Sequence, residues 1–532
     1  MKRKLIALCF SVSSILAQDA IAKPELYQEP YRPQFHFTPQ QQWMNDPNGM
    51  VYLDGEYHLF YQYNPYANVW GPMHWGHAIS KDLVHWQQQP VALYPDKHGT
   101  IFSGSAVVDW HNTAGFGTKD NPALVAIFTY HDHLQENLGA TTYQSQGLAY
   151  SLDKGRTWIK YQGNPVLNSP DVKDFRDPKV MWHADSARWV MSLAVKNKIS
   201  FYSSTDLKNW QHTGDFGEGI GAHGGVWECP DLIKMRVNGS DEEKYVLLVS
   251  ITPGGPNGGS ATQYFVGDFD GKTFTIDPAF NQQLSAAEVT SPSKQPAIWL
   301  DYGTDNYAGV TWSDVPKADG RHLFIGWMSN WQYAIKVPTE RWRSAMTIVR
   351  ELQLEQLNGQ YIISSKPVDS LSTLITETHS VNNITLAAAQ PVDVVKLAKA
   401  SELGQKVQLD LELNQASVVE LSFNNAKNNL KVIIDAAAGE LILDRTAAGL
   451  ADFDVNFPSV QRAPLKIEKG VLHLEIFLDR ASIEIFADKG RTVMTSIVFP
   501  EQPYTKLNIS ADNTVQLKQV TISQLSSIWQ KK

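Results

Sequence analysis

Three carboxylates of this chain are the first candidates for chemistry. Asp46 lies in Trp43-Met44-Asn45-Asp46-Pro47-Asn48-Gly49, Asp177 in Phe175-Arg176-Asp177-Pro178, and Glu228 in Val226-Trp227-Glu228-Cys229-Pro230. An ionised carboxylate can attack an electrophilic carbon, and a protonated one can hand a proton to a departing oxygen, so acids in unlike environments are the raw material of assisted bond cleavage. Local residue chemistry does not by itself assign them these tasks. Asp-Pro-Asn-Gly is a turn signal, and taken alone the turn reading is the stronger one for Asp46. Arg176 beside Asp177 reads by default as a surface ion pair. Glu228 differs: wedged between Trp227 and Cys229, its charged form is expected to be disfavoured, which raises a carboxyl toward the pKa a general acid needs near neutral pH. His77 in Trp75-Gly76-His77-Ala78 and His223 read as structural histidines. Cys229 has no basic neighbour to make it a thiolate and reads as a tuner of the Glu228 environment.

The elements that must position these acids are strands. From residue 30 to about 350, short β-branched and aromatic runs such as Met50–Leu53, Tyr57–Tyr61, Leu124–Thr129 and Trp189–Leu193 are punctuated by Gly, Pro, Asn and Asp at the spacing of all-β architecture. A turn recurs among them. Ser80-Lys81-Asp82-Leu83-Val84-His85-Trp86 returns as Ser204-Thr205-Asp206-Leu207-Lys208-Asn209-Trp210, and more loosely as Ser151-Leu152-Asp153 leading to Trp158. The same polar turn and Trp filler once per group of strands is the mark of propeller blades. Beyond about residue 370 aromatics thin out and period-two strands take over, as in Val407–Leu413 and Leu472–Leu478, the pattern of a half-buried antiparallel β-sandwich. The expected division is a leader over 1–22, a first domain over 23–354, a connector over 355–378 and a second domain over 379–532.

Composition narrows the function classes. With 532 residues, 43% hydrophobic and 19% charged, the chain can bury a large core. Its 46 basic residues face 55 acidic ones, and a formal charge of -9 offers no footprint for nucleic acid or an anionic membrane. Lys2-Arg3-Lys4, the apolar run Leu5–Ala17 and Ala20-Ile21-Ala22 read as a cleaved export signal, too short to remain as a membrane span. Export to the periplasm or medium is therefore expected. Of the two cysteines only Cys229 follows the leader, which leaves no intramolecular disulfide. Lacking CxxC and HExxH strings, the sequence gives little support for a dedicated zinc site.

Taken together, the motifs resemble glycoside hydrolase family 32, the invertase, levanase and exo-inulinase family. The resemblance is carried by W-M-N-D-P-N-G at 43–49, F-Y-Q-Y-N-P at 60–65, W-G-H-A at 75–78, F-S-G-S at 102–105, F-R-D-P at 175–178 and W-E-C-P at 227–230. Asp301-Tyr302-Gly303, Gly326–Trp331 and L-D-R-A-S-I-E-I-F at 478–486 continue it in order, and overall the chain looks most like bacterial exo-levanases. The resemblance implies a five-bladed β-propeller followed by a β-sandwich. It implies Asp46 as nucleophile, Glu228 as general acid and base, and Asp177 as stabiliser of the transition state. Trp43, Asn45, Gln62, Trp70, Ser103, Arg176 and Trp331 become the substrate-binding candidates, with no cofactor and no metal. Each has a structural alternative: Trp70 and Trp331 as fillers between sheets, Gln62 and Ser103 as partners of backbone groups. The activity implied is retaining hydrolysis of terminal β-D-fructofuranosyl residues from levan, inulin or sucrose. A double displacement of this kind sets the two reacting carboxyls about 5 to 5.5 Å apart. A sucrose-preferring invertase, a fructosyltransferase and a catalytically silent fructan-binding lectin are the alternatives.

Overall fold

In a computed structural model, residues 25–529 are described apart from 288, 290–294, 414–416 and 468–469; the leader read at 1–22 lies outside the described residues. The described chain is all-β, with only short helices, and none of these is long and apolar enough to cross a membrane.

Among the described residues, those from 42 to 367 form five antiparallel-built sheets of four or five strands. The strand that opens each sheet is Gln42–Leu53, Thr100–Val108, Phe175–His183, Val226–Arg236 and Tyr307–Thr311. Each packs on the next, and Tyr307–Thr311 also packs on Gln42–Leu53, so the five close a ring. Backbone bonds help to seal it: the late strand Trp342–Arg343 pairs in parallel with Gln42 and Trp43. Strands near the middle of a sheet are buried along their whole length, as in Leu124–His131, and their sequences are continuous apolar runs rather than alternating ones. The hairpin Arg350–Leu357/Gln360–Pro367 belongs to the last of these sheets, pairing with His322–Met328, so strand structure runs through the first half of the stretch read as a connector.

The recurrent turn has a physical reason. In all three copies the Ser Oγ bonds the Asp two residues on, at 3.0 Å for Ser80–Asp82, 2.8 Å for Ser151–Asp153 and 3.1 Å for Ser204–Asp206. The Asp then accepts backbone N–H groups further along the turn. Every copy joins the third strand of its sheet to the fourth, which after Ser151–Trp158 is only the short Ile159–Lys160. A fourth, at Asp270, does the same work for Lys272 and Thr273 without the Ser or the Trp, which is why the sequence pattern passes over it.

The C-terminal residues form two six-stranded sheets that share one apolar core, with Leu409, Leu411, Leu474 and Ile476 from one and Leu421, Phe423, Val432 and Leu443 from the other. Their junction with the ring combines apolar contacts, such as Phe486 and Val493 with Ile348 and Val349, with buried ionic clusters. Arg350 reaches Asp301 at 2.9 Å on one side and bonds Glu484 on the other; Glu484 meets His36 at 2.8 Å, and His36 meets Asp479 at 2.7 Å. Burial works against a charge on His36, but the bonds and charges of Asp479 and Glu484 outweigh it and push the imidazole up to about 9. A second cluster joins Arg445 to Asp305 at 2.7 Å, with the Tyr333 hydroxyl donating to Asp305. Gly303 sits at a close approach of the two parts: a Cβ there would lie 2.0 Å from the Thr495 carbonyl oxygen.

Candidate active site

The bulges of the inner strands build the site. A break in pairing register falls between Met44 and Pro47, Ile101 and Gly104, Arg176 and Lys179, Glu228 and Asp231, and Tyr307 and Val310, so that each of the five ring strands has one, and Gln42–Leu53 has a second between Asn48 and Val51. A bulge bends its strand and re-aims a side chain. Proline suits such a place because it has no N–H to give to the ladder, which accounts for Asp46-Pro47, Asp177-Pro178 and Cys229-Pro230. Asp177, Cys229 and Ala308 take left-handed backbone angles, with φ of 63°, 46° and 53°. Asp46 therefore lies in a bulged strand and not in the free turn its local sequence suggests.

The first four bulges give side chains to one cavity of about 270 Å³, lined by Asn45, Asp46, Gln62, Trp70, Ser103, Arg176, Asp177, Glu228 and Trp331 among others. All three acids and all but one of the binding candidates meet there. Trp43 is the exception: it is fully buried, its indole N–H donates to Asn45 Oδ1 at 2.7 Å, and its ring stacks beneath Trp331. It supports the wall without forming it.

Asp46 Oδ1 accepts from Asn45 Nδ2 at 3.0 Å and Oδ2 from Ser103 Oγ at 2.8 Å. Burial, and then the charge of Glu228, push Asp46 up to about 6 against these bonds. Asp177 Oδ2 takes the Cys229 N–H at 3.1 Å, and the Asp177 N–H donates to Thr129 Oγ1 at 3.0 Å. Burial raises Asp177 to about 7; Arg176 opposes the rise, and the charges of Glu228 and Asp46 add to it. Arg176 is no surface partner. It is nearly buried and donates to Glu228 Oε1 through Nε at 3.2 Å and Nη2 at 3.1 Å, and to Asp174 through Nη1 at 2.6 Å.

Two expectations need correcting. Glu228 is not in an apolar setting: besides Arg176, its Oε2 accepts a hydrogen bond from the Tyr307 hydroxyl. Burial and the Glu228 charge hold that phenol in its protonated form. Cys229 does not tune Glu228 directly, because its thiol points the other way, 3.8 Å from Asp46 Oδ2 and 3.7 Å from Asp177 Oδ2. Burial and the three acids push the thiol well up, so it stays neutral. The structural histidines are as read: His77 Nε2 meets His58 at 3.0 Å under a stacked Phe60, and His223 stacks on Trp227.

Gln62 lies opposite the Asn45–Asp46 bulge, and its buried Nε2 finds no acceptor among the described residues. A buried donor without a partner is costly unless a ligand oxygen fills the place. Trp331 and a partly exposed Trp70 add flat apolar surface, and Trp70 meets Phe102 edge-on. Sequence reasoning missed Tyr307, Asp174 and Thr129, because each acts on a motif residue from outside the motif. It also missed Phe102, His131, Glu136, Tyr143 and Gln144 on the wall, although Phe102 adjoins Ser103 within F-S-G-S.

Residues 36–367 match the glycosyl hydrolases family 32 N-terminal domain, and residues 370–524 match the C-terminal domain of that family. The chain is 45% identical to a levanase of Bacillus subtilis over 99% of its own length and 76% of that protein's. It is 38% identical to an extracellular exo-inulinase of Aspergillus ficuum, covering 97% and 98% of the two chains. Among solved structures, an exo-inulinase from Aspergillus awamori superposes with a TM-score of 0.83 at 36% identity, over 94% of this chain and all of the other.

Proposed function

The chain belongs to glycosyl hydrolases family 32, and from that membership we propose that it is a retaining exo-β-fructosidase that removes terminal β-D-fructofuranosyl residues from fructans and sucrose. The observation that carries the reading is the meeting of Asp46, Asp177 and Glu228, delivered by three different sheets, in one small cavity with Arg176 and two tryptophans. Its volume is below the roughly 300–1,000 Å³ of drug-sized pockets, which suits one end-unit of a chain better than a stretch of polymer.

Asp46 attacks the anomeric carbon as the bond to the leaving oxygen breaks, and Glu228 gives that oxygen its proton. Water then adds to the same carbon, returns a proton to Glu228 and releases Asp46. Asn45 and Ser103 aim the Asp46 oxygens. Asp177, fixed by the Cys229 N–H, faces the positive charge that builds on the ring and accepts hydroxyl hydrogen bonds from it. The crowding of acids that lifts Asp46 and Asp177 also keeps a proton within the group near neutral pH, where such a cluster titrates as a unit. Gln62 offers its unused N–H to the sugar, and the two indoles flank it. No step calls for a cofactor or metal.

We read the five ring sheets as the blades of a five-bladed propeller and the C-terminal pair as a β-sandwich. In place of the division at 23–354 and 379–532, the proposed domain plan runs 23–367 and 375–532, with the connector shortened to the turn around Asp369–Leu374, since the preceding hairpin completes the last blade and Ile375–Leu386 already pairs within the C-terminal sheet. The leader and the extracellular relative support export.

Initial rates on levan, inulin and sucrose, with product sizes followed by chromatography, test the activity. Free fructose from the first time point on both polymers is the expected result, and oligosaccharides without free fructose would overturn the exo assignment. Discrimination among the three rests on leaving-group contacts worth about 1–3 kcal/mol each, so rates should differ by tens to hundreds of times rather than all or none.

A further inference from the structure

One wall of the cavity carries a cluster the reaction above does not use. His131 ends the strand Leu124–His131, and Asp132 caps the short helix His133–Asn137 by accepting from the N–H groups of Leu134 and Gln135. This turns Glu136 back over His131. The ligand atoms of His131, His133 and Glu136 lie within 4.8 Å of one another, the grouping of a metal site. The hydrogen bonds argue for another use. Gln144 Oε1 accepts the Phe175 N–H at 2.8 Å, which fixes the amide so that its Nε2 donates to His131 Nδ1 at 3.1 Å. His131 must then carry its proton on Nε2, which lies 2.9 Å from Glu136 Oε2. A metal on Nε2 would need the proton on Nδ1, facing an amide NH₂. Burial and the neighbouring His133 hold the imidazole neutral against the pull of Glu136.

The bonds therefore run one way, from the Phe175 N–H through Gln144 and His131 to Glu136. They begin next to Arg176 and Asp177 and end on a carboxylate 44% exposed in the cavity lining, on the side where Trp70 meets His133. We propose that Glu136, oriented by His131 and Gln144, accepts hydroxyl hydrogen bonds from the sugar unit that departs, and so favours saccharide leaving groups over simple alcohols. The proposal rests on the fructosidase reading. Glu136 is a specificity residue, and His131 and Gln144 are positioning residues.

The test compares kcat/KM on sucrose and 1-kestose, whose leaving groups bear hydroxyls, with methyl β-D-fructofuranoside, whose leaving group has none. For Glu136→Ala we expect a loss of about tenfold or more on the first two and less than about twofold on the methyl glycoside. His131→Asn should move the same ratio in the same direction by a smaller factor. Equal losses on all three substrates, or no loss on any, would overturn the proposal. So would binding of one equivalent of Zn²⁺ by the wild type, seen by calorimetry and absent in Glu136→Ala. A wild type that cleaves none of the three fails the fructosidase reading itself, an outcome distinct from the loss of discrimination.

Discussion

Asp46→Asn and Glu228→Gln will each lower turnover by at least about a thousandfold, with the fold intact. An Asn at 46 keeps the shape that Asn45 and Ser103 hold but has no anion to form the covalent bond, and a Gln at 228 keeps the Arg176 bonds on its carbonyl oxygen and turns its NH₂ to the Tyr307 oxygen but has no acidic proton to give. Losses of this size are usual for a nucleophile or a proton donor. Stability separates lost chemistry from lost structure. The Asp46 carboxyl rises from 3.8 to about 6 on folding, so the cost of ionising it in the folded state grows between those values and is complete above 6. Asn removes that cost, and at pH 7 the variant should melt no lower than the wild type. A lectin-like binder would keep its affinity and show no turnover to lose. Release of fructose at the wild-type rate by either variant would remove that residue from its role.

The second large effect is at the junction of the two parts. Glu484→Ala will lower the stability of the first unfolding transition by about 3–5 kcal/mol, because it leaves Arg350 and His36 buried without their shared anion. Replacing a whole buried ionic group by apolar residues can be neutral, but removing one member seldom is. Urea unfolding followed by tryptophan fluorescence measures the loss, and a change below about 1 kcal/mol would show that the network is not what joins the parts. Asp301 and Gly303 of the D-Y-G string, and Asp479 and Glu484 of L-D-R-A-S-I-E-I-F, all lie on this seam. Those motifs mark how the halves fit and carry no chemistry.

That explains what the sequence made legible. Period-two patterning and the Ser-x-Asp turn expose the all-β character, because both are local and repeat. Of the three acids only Glu228 stood out on its own residues: Asp46 by itself looked like a turn, and Asp177 like half of a surface pair, and both became candidates only through the set of motifs. The Asp-Pro and Cys-Pro steps are in fact bulges, a property of pairing with a neighbouring strand that local statistics do not contain. Groups that act across sheets were hidden for the same reason. Tyr307 reaches Glu228 from another ring strand, and Gln144 joins its cross-strand partner His131 to Phe175 in the next sheet. Trp43 was visible in its motif, but its burial beneath Trp331 was not.

The most direct test of two-step cleavage through Asp46 is the configuration of the product trapped by methanol. With sucrose as donor in aqueous methanol, NMR of the first methyl fructoside formed should show the β-furanoside, since two inversions restore the starting configuration. The α-anomer would mean a single displacement by the acceptor, with no fructosyl bond to Asp46.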